Sequence, residues 1–224
     1  MNTVPFVEMK PGGRPPGPDD PIVVVDYGMG NIHSMLKALR LFAPKDSVVY
    51  SADLERIRSA RALVLPGDGA FAAAMEGLAP LRGEIERFVS RGGPLLGVCI
   101  GFQILFQDSD EGPGTRANDL VPGLALVPGR IRRFRFEDRS IRVPHMGWNR
   151  LLSSDGFEPG DFMYFIHSYR AVEVPREFVL AYAEYGGEHF PSVVQAGPIL
   201  ATQFHPEKSD QAGLELLKQW IESL

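Results

Sequence analysis

The sequence has little cysteine, no excess of positive charge and no long apolar run, and each shortage excludes a class of protein. Its 224 residues include one cysteine, Cys99, which rules out an internal disulfide and a zinc site built from several thiolates. Acidic residues outnumber basic ones by 28 to 23, so nucleic acid is not expected as the main partner. We expect neither a metal nor a cofactor.

The apolar runs are too short to cross a membrane. The longest, residues 95–106, is interrupted by glycines and falls below the roughly 20 apolar residues that a spanning helix needs. The N-terminus has no charged stretch followed by an apolar core, so it does not resemble a secretory signal. We therefore expect a cytoplasmic protein without membrane attachment, in which a lone thiol stays reduced.

The first 21 residues differ in composition from the rest of the chain. Residues 10–18 read KPGGRPPGP, and such a segment has few backbone donors and no periodicity that builds a helix or strand. We predict a flexible tail over residues 1–21 that is dispensable for activity. Residues 22–224 show no repeat and no second linker, which predicts one domain.

Strand and helix patterns alternate over the first part of this domain. Ile22–Val25 and Ala62–Leu65 are short and wholly apolar, as is typical of strands buried on both faces of a parallel sheet. Apolar residues at helical spacing follow the first of them. Beyond about residue 124, short strand patterns follow one another. The sequence predicts an α/β fold, with a mostly parallel central sheet, flanking helices and added antiparallel strands on the same core.

Cys99 lies where a buried strand meets an apolar helix. It is flanked by Gly97 and Gly101, which gives the strand–nucleophile–helix arrangement of a nucleophile elbow with cysteine in place of serine. The N-terminus of the following helix lowers a thiol pKa and stabilises an oxyanion. The alternative is an inert buried cysteine, which is the usual state of a free thiol.

His205 is the histidine best placed to serve as the base. It follows the apolar run 199–204 and precedes Pro206, so it is expected to be extended. In an extended chain Glu207 points to the same side as His205, where its carboxylate can fix the imidazole tautomer. A polar turn before Ser209 is the alternative interpretation.

A second glycine-rich loop ends another strand at the same sheet edge. Residues 65–71 read LPGDGAF, and the two glycines allow the backbone to approach a ligand and present its amides. Taken alone, the loop fits an ordinary strand-to-helix connection equally well.

Together these segments resemble the triad-type, or class I, glutamine amidotransferases, and further segments are similar to the glutaminase subunits of imidazole glycerol phosphate synthases. The first set comprises residues 97–103 (GVCIGFQ), 66–69 (PGDG) and 205–207 (HPE). The second comprises residues 26–32 (DYGMGNI), 144–149 (PHMGWN) and 164–169 (YFIHSY). The resemblance covers everything except the tail.

The resemblance implies a mechanism and assigns residues to it. Cys99 attacks the side-chain amide of glutamine, His205 transfers the proton and Glu207 orients His205. The family's positions for the other roles fall on the following residues: the backbone of Asp68, Gly69 and Ile100 for the oxyanion, Gln103 and Glu111 for glutamine, and Asn31, His145, Met146 and Trp148 for the partner interface. Asp68 departs from the family pattern, in which many relatives carry valine.

The resemblance also implies a partner. No part of the chain resembles a phosphate-binding barrel, so the synthase chemistry is expected in a separate subunit. Ammonia would pass to a separate (βα)8-barrel cyclase subunit, in a heterodimer, for the synthesis of imidazole glycerol phosphate and aminoimidazole-carboxamide ribotide in histidine biosynthesis. Two alternatives remain: the glutaminase subunit of anthranilate or aminodeoxychorismate synthase, and a non-catalytic regulatory subunit of the same fold. For Trp148, a place in the core is the alternative to a place at the interface.

Overall fold

The computed structural model describes residues 20–30, 32–112, 120–153 and 162–224. Of the predicted tail, only Asp20 and Pro21 fall within these ranges. The Pro21 carbonyl accepts a hydrogen bond of 2.9 Å from the amide of Arg61, so the chain is fastened to the domain immediately before the first strand.

Helices and strands alternate up to residue 103, and strands dominate afterwards. The helices are α1 (Ile32–Leu39), α2 (Leu54–Arg58), α3 (Phe71–Leu78), α4 (Arg82–Ser90), α5 (Ile100–Gln103) and α6 (Asp210–Glu222). The strands are β1 (Ile22–Val25), β2 (Val48–Ser51), β3 (Ala62–Leu65), β4 (Leu95–Val98), β5 (Asp108–Ser109), β6 (Val121–Pro122), β7 (Arg130–Arg133), β8 (His145–Arg150), β9 (Leu152–Ser153), β10 (Phe162–His167), β11 (Tyr169–Val172), β12 (Val179–Tyr185), β13 (Glu188–Ala196) and β14 (Ile199–Thr202).

The central sheet has eight strands in the order β2-β1-β3-β4-β14-β13-β12-β9. The first five run parallel to one another, and β13, β12 and β9 extend the sheet as antiparallel strands. This confirms the predicted mostly parallel sheet with antiparallel additions. Because β4 and β14 are parallel neighbours, the segments that follow them meet at one edge of the sheet, and those segments begin with Cys99 and lead to His205.

Both faces of this sheet are covered at its centre, which explains why β1 and β3 are apolar throughout. Alternate residues of β1 belong to two clusters: Val24 packs with α1 and α6, whereas Val23 and Val25 pack with α3, α4 and α5. Trp220 of α6 is wholly buried in the first cluster. Each large apolar side chain buried in this way contributes roughly 1.5–3 kcal/mol.

The later strands pack on the same core, as expected, but not all of them join the central sheet. β10 pairs with β8 in a two-stranded antiparallel sheet, and β11, β7, β5 and β6 form a four-stranded sheet. Both sheets lie outside the eight-stranded one. They supply the far wall of the site, opposite the parallel edge.

Candidate active site

Cys99 occupies the turn between β4 and α5 in a conformation that few residues adopt. Its backbone angles are φ 53° and ψ −102°, and such a conformation costs about 1–3 kcal/mol in a residue other than glycine. The two glycines allow strand and helix to approach. A Cβ at Gly97 would lie 2.7 Å from the carbonyl oxygen of Gly101, and one at Gly101 would lie 1.8 Å from that of Leu65. The predicted elbow is therefore present.

Contacts with β14, Gln203 and β10 hold the thiol and its backbone in place. The Cys99 amide donates a 2.8 Å hydrogen bond to the carbonyl of Thr202 on β14. The sulfur lies 3.8 Å from the carbonyl oxygen of Ile166 and 4.0 Å from Nε2 of Gln203. These contacts fix the sulfur between the parallel sheet and β10.

His205 and Glu207 form a buried pair behind the thiol. Nδ1 of His205 lies 2.8 Å from Oε1 of Glu207, and the two side chains are 2% and 4% exposed. His205 is extended, as predicted, but Pro206–Lys208 forms a short 3-10 turn. The prediction that the chain stays extended as far as Glu207 is therefore wrong. The turn brings the Glu207 carboxylate back to the His205 imidazole instead.

The surroundings of His205 favour its charged form. Burial pulls the pKa of His205 down, but the Cys99 sulfur and the Glu207 carboxylate outweigh it and raise the pKa to about 10. Nε2 of His205 has no partner of ordinary hydrogen-bond geometry among the described residues. With Nδ1 held by the carboxylate, Nε2 is the nitrogen left to exchange a proton with the thiol.

A cavity of about 300 Å³ opens beside Cys99. Its walls include every residue predicted for the oxyanion and for glutamine, together with a set that the sequence did not identify. The predicted residues are Asp68, Gly69, Ile100, Gln103 and Glu111, and the others are Pro144, Ile166, His167, Ser168, Tyr169 and Lys208.

The glycine-rich loop after β3 lies against the elbow. The hydroxyl of Tyr27, which is almost fully buried, donates to the carbonyl of Pro66 at the start of this loop. Among the described residues, the amides of Asp68 and Gly69 donate no hydrogen bond. The amide of Ile100 lies in the first turn of α5, where a helix offers no internal acceptor. All three are therefore available to an oxygen in the cavity.

Two polar side chains reach the opposite side of the cavity. Oε2 of Glu111 accepts a 2.9 Å hydrogen bond from the amide of Phe71, while burial raises the pKa of Glu111 above its usual range. Nε2 of Gln103 donates to the Tyr169 carbonyl and to Oε1 of Gln203, both at 3.1 Å. Both N–H groups of Gln103 are thus in use, which leaves its oxygen to face a ligand.

The four residues expected at a partner interface are not equivalent. Asn31 lies outside the described residues. Met146 and Trp148 are 59% and 51% exposed, whereas His145 is only 3% exposed. Because successive side chains of β8 point to opposite faces, His145 turns inward and presents almost no surface to a partner.

The sequence did not assign a role to the β10–β11 wall, which contributes Ile166, His167, Ser168 and Tyr169. The segment 164–169 was recognised only as a family marker. A strand is expected over residues 163–166, but the structure is needed to show which residues of the segment line the cavity.

Neither a metal-binding cluster nor a membrane-spanning helix occurs among the described residues. Within residues 20–30, 32–112, 120–153 and 162–224, no group of three or more His, Cys, Asp or Glu side chains is placed to hold a metal. In the same ranges, no helix has the length and apolar character needed to cross a membrane.

Comparison with known proteins agrees with this geometry. Residues 23–223 match the model of the family described as glutamine amidotransferase class-I. Two curated relatives bear the name imidazole glycerol phosphate synthase subunit HisH. The one from Methanosarcina acetivorans is 42% identical over 208 residues, covering 90% of this chain and 98% of the relative. The one from Methanocaldococcus jannaschii is 36% identical over 209 residues, covering 91% and 100%.

Solved structures show the same fold at lower identity. A crystal structure of a glutamine amidotransferase superposes with a TM-score of 0.68 at 22% identity, covering 90% of this chain and 98% of that one. A glutamine amidotransferase from Thermotoga maritima gives a TM-score of 0.56 at 16% identity, covering 92% and 82%.

Proposed function

The chain belongs to the class-I glutamine amidotransferases and, within them, to the HisH subunits of imidazole glycerol phosphate synthase, and we propose how its residues hydrolyse glutamine. It is the glutaminase subunit of that synthase, in histidine biosynthesis. The observation that carries the proposal is Cys99 on its strained elbow, beside a cavity, with the buried His205–Glu207 pair behind it.

The first half of the reaction forms a thioester. The Cys99 sulfur bonds to the side-chain amide carbon of glutamine while the thiol proton resides on Nε2 of His205. The amide oxygen takes up negative charge, which the amides of Ile100 and Gly69, or of Asp68, stabilise. His205 then gives its proton to the nitrogen, the C–N bond breaks and ammonia leaves.

The second half regenerates the enzyme. Water loses a proton to His205 and adds to the thioester carbon, the C–S bond breaks, and the Cys99 sulfur leaves as glutamate is released. Throughout both halves Glu207 accepts the Nδ1–H of His205 and stabilises the imidazolium. Glu111, whose carboxylate lines the cavity, pairs with the α-ammonium of glutamine, and Gln103 accepts a hydrogen bond through its oxygen.

The partner docks on the outer face of the β8–β10 hairpin. Met146 and Trp148 on β8 are exposed there, as is Phe162 on β10, and the ring of Trp148 packs edge-on to that of Tyr164. Aromatic residues of this kind are enriched in the energetic centres of interfaces. We assign this face to a (βα)8-barrel cyclase subunit, which receives the ammonia in a heterodimer.

Two backbone carbonyls of β10 connect this docking face to the catalytic residues. The Tyr164 carbonyl accepts a 3.0 Å hydrogen bond from the amide of His205, and the Ile166 carbonyl lies 3.8 Å from the Cys99 sulfur. A partner that shifts this strand shifts both groups. We therefore expect poor glutamine hydrolysis by the isolated chain and strong stimulation by the cyclase subunit with its nucleotide. A catalytic thiol that must stay reduced also fits the cytoplasm.

The test compares two nitrogen donors in the assembled complex. With glutamine, the Cys99→Ala complex should make no imidazole glycerol phosphate, while with ammonium salt it should match the parent, because the barrel is intact. Full glutamine-dependent synthesis by Cys99→Ala would overturn the mechanism. A parent chain that binds the barrel but never hydrolyses glutamine would identify a regulatory subunit instead.

A further inference from the structure

The inner face of the β8–β10 hairpin carries two buried histidines that the mechanism does not use. His145 and His167 are directly opposite each other in the antiparallel register, and they are 3% and 6% exposed. Nδ1 of His145 lies 3.0 Å from Nε2 of His167. Buried polar side chains in a strand pair need a partner for each nitrogen, so the contacts beyond this pair decide what it does.

The pair belongs to a longer hydrogen-bonded chain. At its outer end, Nδ2 of Asn149 lies 3.2 Å from Nε2 of His145 and donates to the Glu184 carbonyl at 2.7 Å. At its inner end, Nδ1 of His167 lies 2.7 Å from the carbonyl oxygen of Tyr169, which lines the cavity.

The atoms at the two ends determine where every proton lies. A carbonyl only accepts, so His167 carries its proton on Nδ1 and accepts at Nε2. His145 must then donate from Nδ1 and accept at Nε2 from the Asn149 amide. Both rings are neutral in this arrangement, and burial, together with the neighbouring ring for His167, lowers the pKa of His145 to about 4 and of His167 to about 3.

The chain ends on the side chain that faces glutamine. The Tyr169 carbonyl accepts from both His167 and Nε2 of Gln103, and the second N–H of Gln103 goes to Gln203. Along the path from Asn149 to the cavity wall, every N–H donor therefore has one acceptor. Removing one link leaves a buried acceptor unpaired and the orientation of the next group undetermined.

We propose that the hydrogen-bonded series Asn149–His145–His167 positions the glutamine pocket. It holds the Tyr169 carbonyl, and through that carbonyl it holds the Gln103 side chain. It also joins the pocket to the hairpin whose outer face carries Met146 and Trp148. This inference rests on the proposed function. It makes His145 and His167 positioning residues: neither is the base, and each acts through the next group in the chain.

Matched variants of His145 separate positioning from packing. His145→Phe keeps an aromatic ring against Tyr185 and Phe165, whose centroids lie 4.1 and 5.0 Å away, but it cannot donate to His167. His145→Asn places an amide nitrogen near the position of Nδ1 and keeps that donation. Phe190→Leu disturbs the packing of both histidine rings without touching the hydrogen bonds.

Glutamine kinetics of the assembled complex give the first readout. We expect His145→Phe to raise KM for glutamine about tenfold, with kcat changed less than about threefold, because one pocket hydrogen bond is lost and the reacting groups remain. His145→Asn should stay within about threefold of the parent, and Phe190→Leu should lower the melting temperature without changing KM. Equal KM changes in His145→Phe and Phe190→Leu, or in His145→Phe and His145→Asn, would overturn the proposal.

Side-chain nitrogen NMR of the parent complex at neutral pH gives a second readout that needs no variant. Both histidines should be neutral with the proton on Nδ1. A proton on Nε2 of either ring would contradict the chain, even if a variant failed to fold. Absence of glutaminase activity in the parent would count against the proposed function, whereas a wrong tautomer in an active parent counts against this inference alone.

Discussion

Nδ1 of His205 lies 2.8 Å from Oε1 of Glu207, and neither side chain exposes more than 4% of its surface. A carboxylate in this position selects the tautomer of the imidazole and stabilises the charge that the imidazole gains during proton transfer. The contact connects His205 to the short turn over residues 206–208, which precedes α6.

Glu207→Gln should reduce kcat for glutamine about 10- to 1,000-fold with little change in KM. The amide keeps the shape but loses the charge, so the pKa of His205, raised by Cys99 and Glu207, falls and the imidazolium is less stable. Steady-state glutaminase kinetics of the complex measure this. Glu215→Gln on the exposed surface of α6 is the control, and a kcat within twofold of the parent in Glu207→Gln would argue against the triad.

Asp68→Asn should raise kcat about three- to tenfold. Asp68 lines the same cavity as Cys99 and Gly69, so its carboxylate opposes the negative charge that develops on the amide oxygen. Asp68→Glu keeps the charge and should show no increase. If both variants raised kcat alike, loop shape rather than charge would be responsible.

Trp148→Ala should weaken binding of the cyclase subunit by about 2 kcal/mol or more, as expected for an aromatic anchor. Trp148 is half exposed in the isolated chain, so its removal leaves little cavity in the fold. Calorimetric titration of the two subunits measures the loss. Leu54→Ala, at an exposed leucine on α2, is the control, and unchanged affinity in Trp148→Ala would move the interface elsewhere.

Lowering the pH from 6.5 towards 4 should destabilise the protein through His145 and His167. The folded pKa values of both lie below the ordinary 6.5, so the unfolded chain binds more protons in this window. Their contribution to the free energy of unfolding is complete above pH 6.5 and is lost as the pH falls. The positive charge of His205 also contributes to lowering the pKa of His167.

Chemical denaturation between pH 6 and pH 5 measures this dependence. His145→Asn removes one titrating ring and should lower the slope by up to about 1.4 kcal/mol per pH unit. Leu54→Ala, at an exposed leucine of α2, removes no titrating group and should leave the slope unchanged. Identical slopes in the parent and His145→Asn would mean that His145 titrates equally in both states.

Features formed by neighbouring residues were predictable from the sequence, whereas features formed by distant segments were not. The elbow at Cys99 was predictable because Gly97, the cysteine and Gly101 are consecutive parts of one turn. His205 and Glu207 were correctly paired although the 3-10 turn between them was not foreseen, since both an extended chain and that turn bring residues two apart together.

The wall of the cavity depends on register between segments far apart in sequence. His145 and His167 meet because β8 and β10 pair across 22 positions, and no local pattern fixes that register. The same register turns His145 inward while Met146 and Trp148 face outward, so three neighbours expected at one interface divide between two faces.

Mass spectrometry of the complex, quenched with acid during turnover of glutamine, shows whether Cys99 carries the glutamyl group. Because the chain has one cysteine, thioester chemistry maps to a single peptide. We expect one glutamyl group on the peptide that contains Cys99, and none in Cys99→Ala. Rapid glutamine hydrolysis with this peptide unmodified, or with the glutamyl group on another residue, would contradict it.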